Sequence, residues 1–192
     1  MRKISILSGT AVFFLASQIC SGQVAVPVLW DFTGTGGAQI LSNGKVDQGR
    51  GGVFVYDETS PGASLIIQSP KRYNLFGVAK SSAGDIDGDG YDDILIGAPM
   101  SGPNSQNPGA AYVYSGATGL ELLRVKGFGK DNYFGRSVVG AGDINGDDVP
   151  DLLVGGWYLS EQSIPYGRVY LLSGTDGKLL RTITSYESGD AF

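Results

Sequence analysis

The sequence predicts an all-β fold, a β-propeller with about three four-stranded blades present. Three observations carry this: a Gly- and Tyr-rich composition, an internal repeat of 58 residues, and short apolar runs bounded by turn residues in each copy. The 192 residues include 31 Gly and 10 Tyr, about twice the usual glycine share. That usage suits many short strands joined by tight turns. It does not suit long helices, where each Gly costs about 1 kcal/mol.

The repeat has five landmarks. Phe76-Gly77 recurs as Phe134-Gly135, and Asp85 as Asp143, each 58 positions later. Gly109–Gly116 (GAAYVYSG) recurs as Gly167–Gly174 (GRVYLLSG) and is anticipated by Gly51–Asp57 (GGVFVYD). Phe192 stands 58 positions after Phe134. Periods of this size mark solenoids and propellers.

Within each unit the runs read as strands. Asp93–Gly97 (DILIG) and Asp151–Gly155 (DLLVG) are short and apolar, as expected of strands buried on both faces. Tyr112–Tyr114 and Tyr170–Leu172 end in Ser-Gly turns. Gly116–Gly119 and Gly174–Gly177 read as hairpin turns, each leading into a further strand, Leu120–Val125 and Lys178–Ile183. The Tyr residues in strands are expected to be core. The units divide the chain into a leader over 1–22, an N-terminal partial blade over 23–75, and blades over 76–133 and 134–191. The N-terminal copy lacks an acidic loop, its matching region Pro27–Thr35 holding only Asp31. The 170 residues after the leader hold about 2.9 periods, and propellers generally need at least four blades to close. Phe192 is therefore expected to be a cut at the start of a further repeat.

The leader has the layout of a secretory signal peptide: Arg2 and Lys3, a mostly apolar Ile4–Ile19, then small residues up to a cleavage site before Gln23. The apolar run is too short and too rich in Ser for a membrane anchor. This predicts a secreted protein, extracellular, on a cell surface or in a periplasm. Cleavage removes Cys20, the only cysteine, so no disulfide is available. It also leaves 12 basic against 19 acidic residues, a net charge of −7. That balance excludes nucleic acid and anionic membrane as partners. The absence of His excludes His-based triads and His metal sites. Gly34–Gly37 and Gly49–Gly52 lack the phosphate-loop pattern and read as turns. No enzyme is predicted.

The acidic residues concentrate in two loops. Asp85-Ile-Asp87-Gly-Asp89-Gly-Tyr91-Asp-Asp93 and Asp143-Ile-Asn145-Gly-Asp147-Asp-Val149-Pro-Asp151 both fit D-x-[DN]-x-D-x-x-x-D. When such a loop curls, oxygens at positions 1, 3 and 5 converge. Position 7 adds its backbone carbonyl, from Tyr91 or Val149, and the ninth residue, Asp93 or Asp151, closes the shell. Hard oxygen ligands rich in carboxylate select Ca²⁺. Asx-turns alone need fewer acids than this. An EF-hand needs Glu at position 12, where Ile96 and Val154 stand.

Together, Phe76-Gly77, the first acidic loop, Ile94-Leu-Ile-Gly-Ala-Pro99 and Gly109-Ala-Ala-Tyr-Val-Tyr114 resemble one FG-GAP repeat. Phe134-Gly135, the second loop, Leu152–Gly156 and Gly167–Tyr170 resemble another. These repeats form the propeller of integrin alpha subunits, and the resemblance covers roughly 51–192. It implies a seven-bladed ring, of which this chain would be a fragment. It also implies Ca²⁺ in the loops of one face, held by Asp85, Asp87, Asp89, Tyr91 and Asp93, and by Asp143, Asn145, Asp147, Val149 and Asp151. The expected role is an extracellular adhesion or interaction module with a protein or glycan ligand. An accessory propeller of a larger secreted hydrolase is the alternative. The second repeat departs from the pattern: Gly155-Gly156-Trp157 replaces Gly-Ala-Pro, and Asp148 stands where a Gly is usual. That place needs a left-handed backbone, which Asp tolerates better than most residues.

Overall fold

A computed structural model describes residues 28–31, 38–47, 50–57, 63–103, 106–159 and 165–185. The expected signal peptide over 1–22, Cys20, the expected turn at Gly34–Gly37 and Phe192 lie outside the described residues, as does 32–37, which follows Asp31. Twelve strands are described: β1 (Val28–Asp31), β2 (Ala38–Asp47), β3 (Arg50–Asp57), β4 (Ala63–Gln68), β5 (Lys80–Gly84), β6 (Asp93–Ala98), β7 (Ala110–Tyr114), β8 (Glu121–Lys126), β9 (Ser137–Gly142), β10 (Asp151–Leu159), β11 (Pro165–Leu172) and β12 (Leu179–Thr184). Among the described residues no helix is long and apolar enough to cross a membrane.

The strands form three four-stranded antiparallel sheets in simple up-and-down order, β1-β2-β3-β4, β5-β6-β7-β8 and β9-β10-β11-β12. Each sheet is one blade. The last strand of the second blade starts at Glu121 and that of the third at Leu179, one residue later than the sequence pattern indicates. The shift follows from the turns: Gly119 and Gly177 both adopt φ +71 and delay the return to extended backbone. The innermost strands β5 and β9 lie side by side, as blades arranged around a common axis require.

Alternation along each strand sends side chains to the two neighbouring blades. In β6 and β7, Ile94, Ile96, Ala98, Ala110, Tyr112 and Tyr114 face the first blade, where they join Val53, Val55, Ile67 and Phe76 in one core. The intervening Leu95, Ala111 and Val113 face the third blade and pack with Phe134, Leu152, Val154, Tyr170 and Leu172. Both β6 and β7 are buried along their whole length, which explains their continuous apolar runs. The strand tyrosines are core: Tyr112 and Tyr170 are each 2% exposed.

The period of 58 is thus a period of roles. Phe76 and Phe134 each plug the gap in front of their own blade, edge-on to Tyr112 and Tyr170 at 5.5 and 5.3 Å between ring centroids. The Phe-Gly segment also links blades through the backbone. Phe134 N–H donates to the Pro108 carbonyl at 3.1 Å, and Gly135 N–H donates to the Gly155 carbonyl at 3.0 Å.

Candidate metal centre

Both acidic loops join the first strand of a blade to the second. β5 and β9 each end with a register shift against their partner, and the chain then curls before re-entering the sheet at Asp93 or Asp151. The curl is fixed by carboxylates bonding to the loop's own backbone. Asp85 Oδ1 accepts N–H donations from Gly88 at 2.7 Å and Asp89 at 3.1 Å, and its Oδ2 accepts from Gly90 at 2.9 Å. Asp87 Oδ1 accepts from Asp89 N–H at 3.2 Å, and Asp89 Oδ1 from Tyr91 N–H at 2.9 Å.

The second loop repeats this pattern bond for bond. Asp143 Oδ1 accepts from Gly146 at 2.7 Å and Asp147 at 3.2 Å, and its Oδ2 accepts from Asp148 at 3.0 Å. Asn145 Oδ1 accepts from Asp147 N–H at 2.9 Å, and Asp147 Oδ1 from Val149 N–H at 3.1 Å. Gly88 and Gly146 have φ of +76 and +81. Gly90 has φ +90, and Asp148, at the matching place, has φ +66. The left-handed turn expected there is present, and Asp148 carries its strain.

In the first loop, carboxylate oxygens of Asp85, Asp87 and Asp89 come within 4.8 Å of one another. Oxygens that share one Ca²⁺ at about 2.3–2.6 Å lie no more than roughly 5 Å apart. The donor set and its spacing therefore fit a calcium-sized cation. Asp87 and Asp89 are exposed and Asp85 is half-buried, so the cluster opens to solvent.

The ninth residue of each loop is placed differently from the residues at positions 1, 3 and 5. Asp93 is 1% exposed and Asp151 0%. Asp93 Oδ2 accepts from Ile86 N–H at 2.8 Å, and its Oδ1 accepts from Gly116 N–H at 3.0 Å, in the β7–β8 hairpin. Asp151 binds Ile144 N–H at 2.9 Å, Asn145 N–H at 3.1 Å and Gly174 N–H at 3.2 Å. These residues tie the loop to the neighbouring hairpin of the same blade. Burial pushes the Asp93 carboxyl above the ordinary carboxylate range, the N–H groups of Ile86 and Gly116 oppose this, and the Asp87 charge adds to it. A cation at the loop would relieve that penalty.

One contact has no sequence signal. Thr175, in the β11–β12 hairpin, donates its hydroxyl to Asp147 Oδ2 at 2.9 Å. This bond is the main reason the Asp147 carboxyl is held below its ordinary range. Asn145 Nδ2 donates to the same oxygen at 3.1 Å. The matching position in the previous repeat is Ala117, which offers Asp89 no such donor. Because Thr175 lies 28 residues from Asp147, loop spacing does not reveal it.

A profile of the FG-GAP repeat family matches residues 78–114, from just before β5 through β7, and so includes the whole first loop. Integrin alpha-2 of Bos taurus is 31% identical over 153 residues, covering 74% of this chain and 13% of that protein. Integrin alpha pat-2 of Caenorhabditis elegans is 36% identical over 118 residues, covering 56% of this chain and 10% of that protein. Integrin alpha-4 of Xenopus laevis is 26% identical over 184 residues, covering 93% of this chain and 17% of that protein. The chain thus spans between 10% and 17% of the length of these relatives. With three antiparallel blades, a Phe-Gly plug in front of two of them and an acidic loop in each of those two, the chain is an integrin-alpha-like FG-GAP repeat protein built of β-propeller blades.

Proposed function

We propose that this chain is an extracellular interaction module of the adhesion type, stabilised by Ca²⁺ in its acidic loops, and that it performs no catalysis. The observation that carries the proposal is the convergence of Asp85, Asp87 and Asp89 oxygens within 4.8 Å on a backbone frame that the second loop reproduces. Asp85, Asp87, Asp89, the Tyr91 carbonyl and Asp93 are the proposed first set of ligands. Asp143, Asn145, Asp147, the Val149 carbonyl and Asp151 are the second. Secretion under the leader over 1–22 supplies the calcium that such sites need. The likeness to integrin alpha subunits supports the adhesion reading.

Calcium is expected to raise the melting temperature relative to chelator. Extracellular calcium modules often bind at about 10⁻⁴ to 10⁻³ M, and a tenfold excess over such a constant stabilises by roughly 1.4 kcal/mol per site. Identical melting curves with calcium and with chelator would refute the calcium role.

The two sites are expected to differ in strength. The first set of proposed ligands has four side-chain carboxylates and the second three, with Asn145 neutral, and ligand charge tunes calcium affinity. Asp147 also has one oxygen engaged by Thr175. Asp87→Ala should therefore remove the tighter event in calorimetry and Asp147→Ala the weaker one. Loss of the tighter event on Asp147→Ala would reverse the ranking.

A further inference from the structure

We propose that the cleft between the first two blades, walled by Lys71, Arg124 and Lys126, binds an acidic segment of a protein partner through its carboxylates. The cleft has a volume of about 270 Å³. That is below the usual size for a whole small-molecule ligand, and suits one or two side chains of a peptide. Lys71 comes from the connection that follows β4, Arg124 and Lys126 from β8, and Pro103 and Pro108 add apolar wall. Ser101 and Tyr112 lie at the floor, their hydroxyls 3.3 Å apart.

Arg124 is preset. Its Nε and Nη2 donate to the two oxygens of Glu121 at 2.9 and 2.8 Å, and its guanidinium lies 5.2 Å over the Tyr112 ring. Glu121 offsets the Arg124 charge, so the net positive potential of the cleft comes from Lys71 and Lys126. Both are exposed, and among the described residues neither forms a salt bridge.

Comparison with the next blade interface shows that these features are not required by the fold. There Phe128 stacks on Tyr170 at 4.8 Å between centroids and an interplanar angle of 17°. The residue 58 positions before Phe128 is Pro70, so the first interface has no ring at that repeat position, and the Arg124 guanidinium lies over the Tyr112 ring. The counterparts of Lys71, Arg124 and Lys126 are Gly129, Thr182 and Thr184. The packing tyrosine recurs, while none of the three cations has a basic counterpart at the matching position of the next interface.

Location favours a carboxylate ligand. The cleft adjoins the segment between the end of β6 and the start of β7, whereas the acidic loop sits at the start of β6. Six residues at about 3.3 Å each separate the two ends, well beyond the Debye length of about 8 Å at physiological salt. An approaching carboxylate therefore meets the lysines rather than the aspartates. A long polyanion is disfavoured, because the whole chain carries a net charge of −5 and would repel it elsewhere.

The proposal rests on the reading of the chain as an interaction module and is independent of calcium. Its test is fluorescence anisotropy of a labelled Gly-Pro-Glu-Glu-Pro-Gly peptide titrated with the full chain at low salt. The double variant Lys71→Glu/Lys126→Glu should bind about tenfold more weakly, since charge reversal turns two attractions into repulsions. Lys130→Glu, at an exposed lysine outside the cleft, should bind as the wild type does. Three results would overturn the proposal: no binding to the wild type, equal weakening by Lys130→Glu, or displacement by a heparin tetrasaccharide more readily than by unlabelled peptide. Binding that requires added Ca²⁺ would move the carboxylate to the metal loop and overturn it too, while leaving the calcium reading intact.

Discussion

Phe134→Ala is expected to destabilise the protein by about 3–5 kcal/mol, the range for emptying a large buried aromatic site. Phe134 is 0% exposed and belongs to the core shared by the second and third blades. Its ring meets Phe128 and Tyr170 edge-on at 5.6 and 5.3 Å. The backbone on either side is pinned to both blades through Pro108 and Gly155, so the surroundings cannot collapse into the space. Edge-to-face pairs add about 0.5–1.5 kcal/mol beyond area burial, and both would be lost. Tyr73→Ala, at a residue 77% exposed, should change stability by no more than about 0.5 kcal/mol. Urea denaturation of both variants checks this. A cost below about 1 kcal/mol for Phe134→Ala would mean that the Phe-Gly plug does not hold the blades together.

Gly97→Ala should cost at least about 3 kcal/mol, the upper end of overpacking penalties. A Cβ at 97 would lie 1.9 Å from the Gly135 carbonyl oxygen and 2.9 Å from its carbon. Neither backbone can yield easily. Gly97 N–H donates to the Ala79 carbonyl at 2.8 Å and its own carbonyl accepts from Gly77 N–H at 2.9 Å, while Gly135 N–H is held by Gly155. The requirement here is close approach rather than unusual φ: the glycine of one blade receives the Phe-Gly turn of the next. Gly129→Ala is the control, because a Cβ there meets nothing within 4 Å. It should be neutral to within about 0.5 kcal/mol. If denaturation midpoints of the two variants coincide, the blades are not in the tight contact described.

Much of the architecture was legible in the sequence because each repeat must perform the same packing task. Ile94 and Ile96 answer to Leu152 and Val154, and Tyr112 to Tyr170, since each fills the same gap in front of its blade. The acidic loops were legible for a similar reason. Asp85 and Asp143 each cap three backbone N–H groups, and that local demand fixes the residue types at set spacing. The first strand of each blade was harder to see. Lys80–Gly84 (KSSAG) and Ser137–Gly142 (SVVGAG) are short, small and partly polar, because the inner strands pack backbone to backbone. A Cβ at Gly140 would lie 2.6 Å from the Ser82 carbonyl oxygen.

The sequence by itself determined the period, the strand-rich blades and the position of the acidic loops, all of which depend on contacts that recur within or between successive repeats. Only the tertiary structure decided what depends on distant or non-repeating neighbours. It buries Asp93 and Asp151 under their hairpins, brings Thr175 onto Asp147, and gathers Lys71, Arg124 and Lys126 around one cleft. Side-chain alternation fixes which face of a strand turns which way, but not what the opposite blade presents to it. Phe128, stacked on Tyr170, stands at the repeat position that Pro70 holds one period earlier, where Arg124 lies over the Tyr112 ring instead. Which group covers each tyrosine, a ring in one case and a guanidinium in the other, is decided by the side chains brought beside it, and these meet only once the chain has folded.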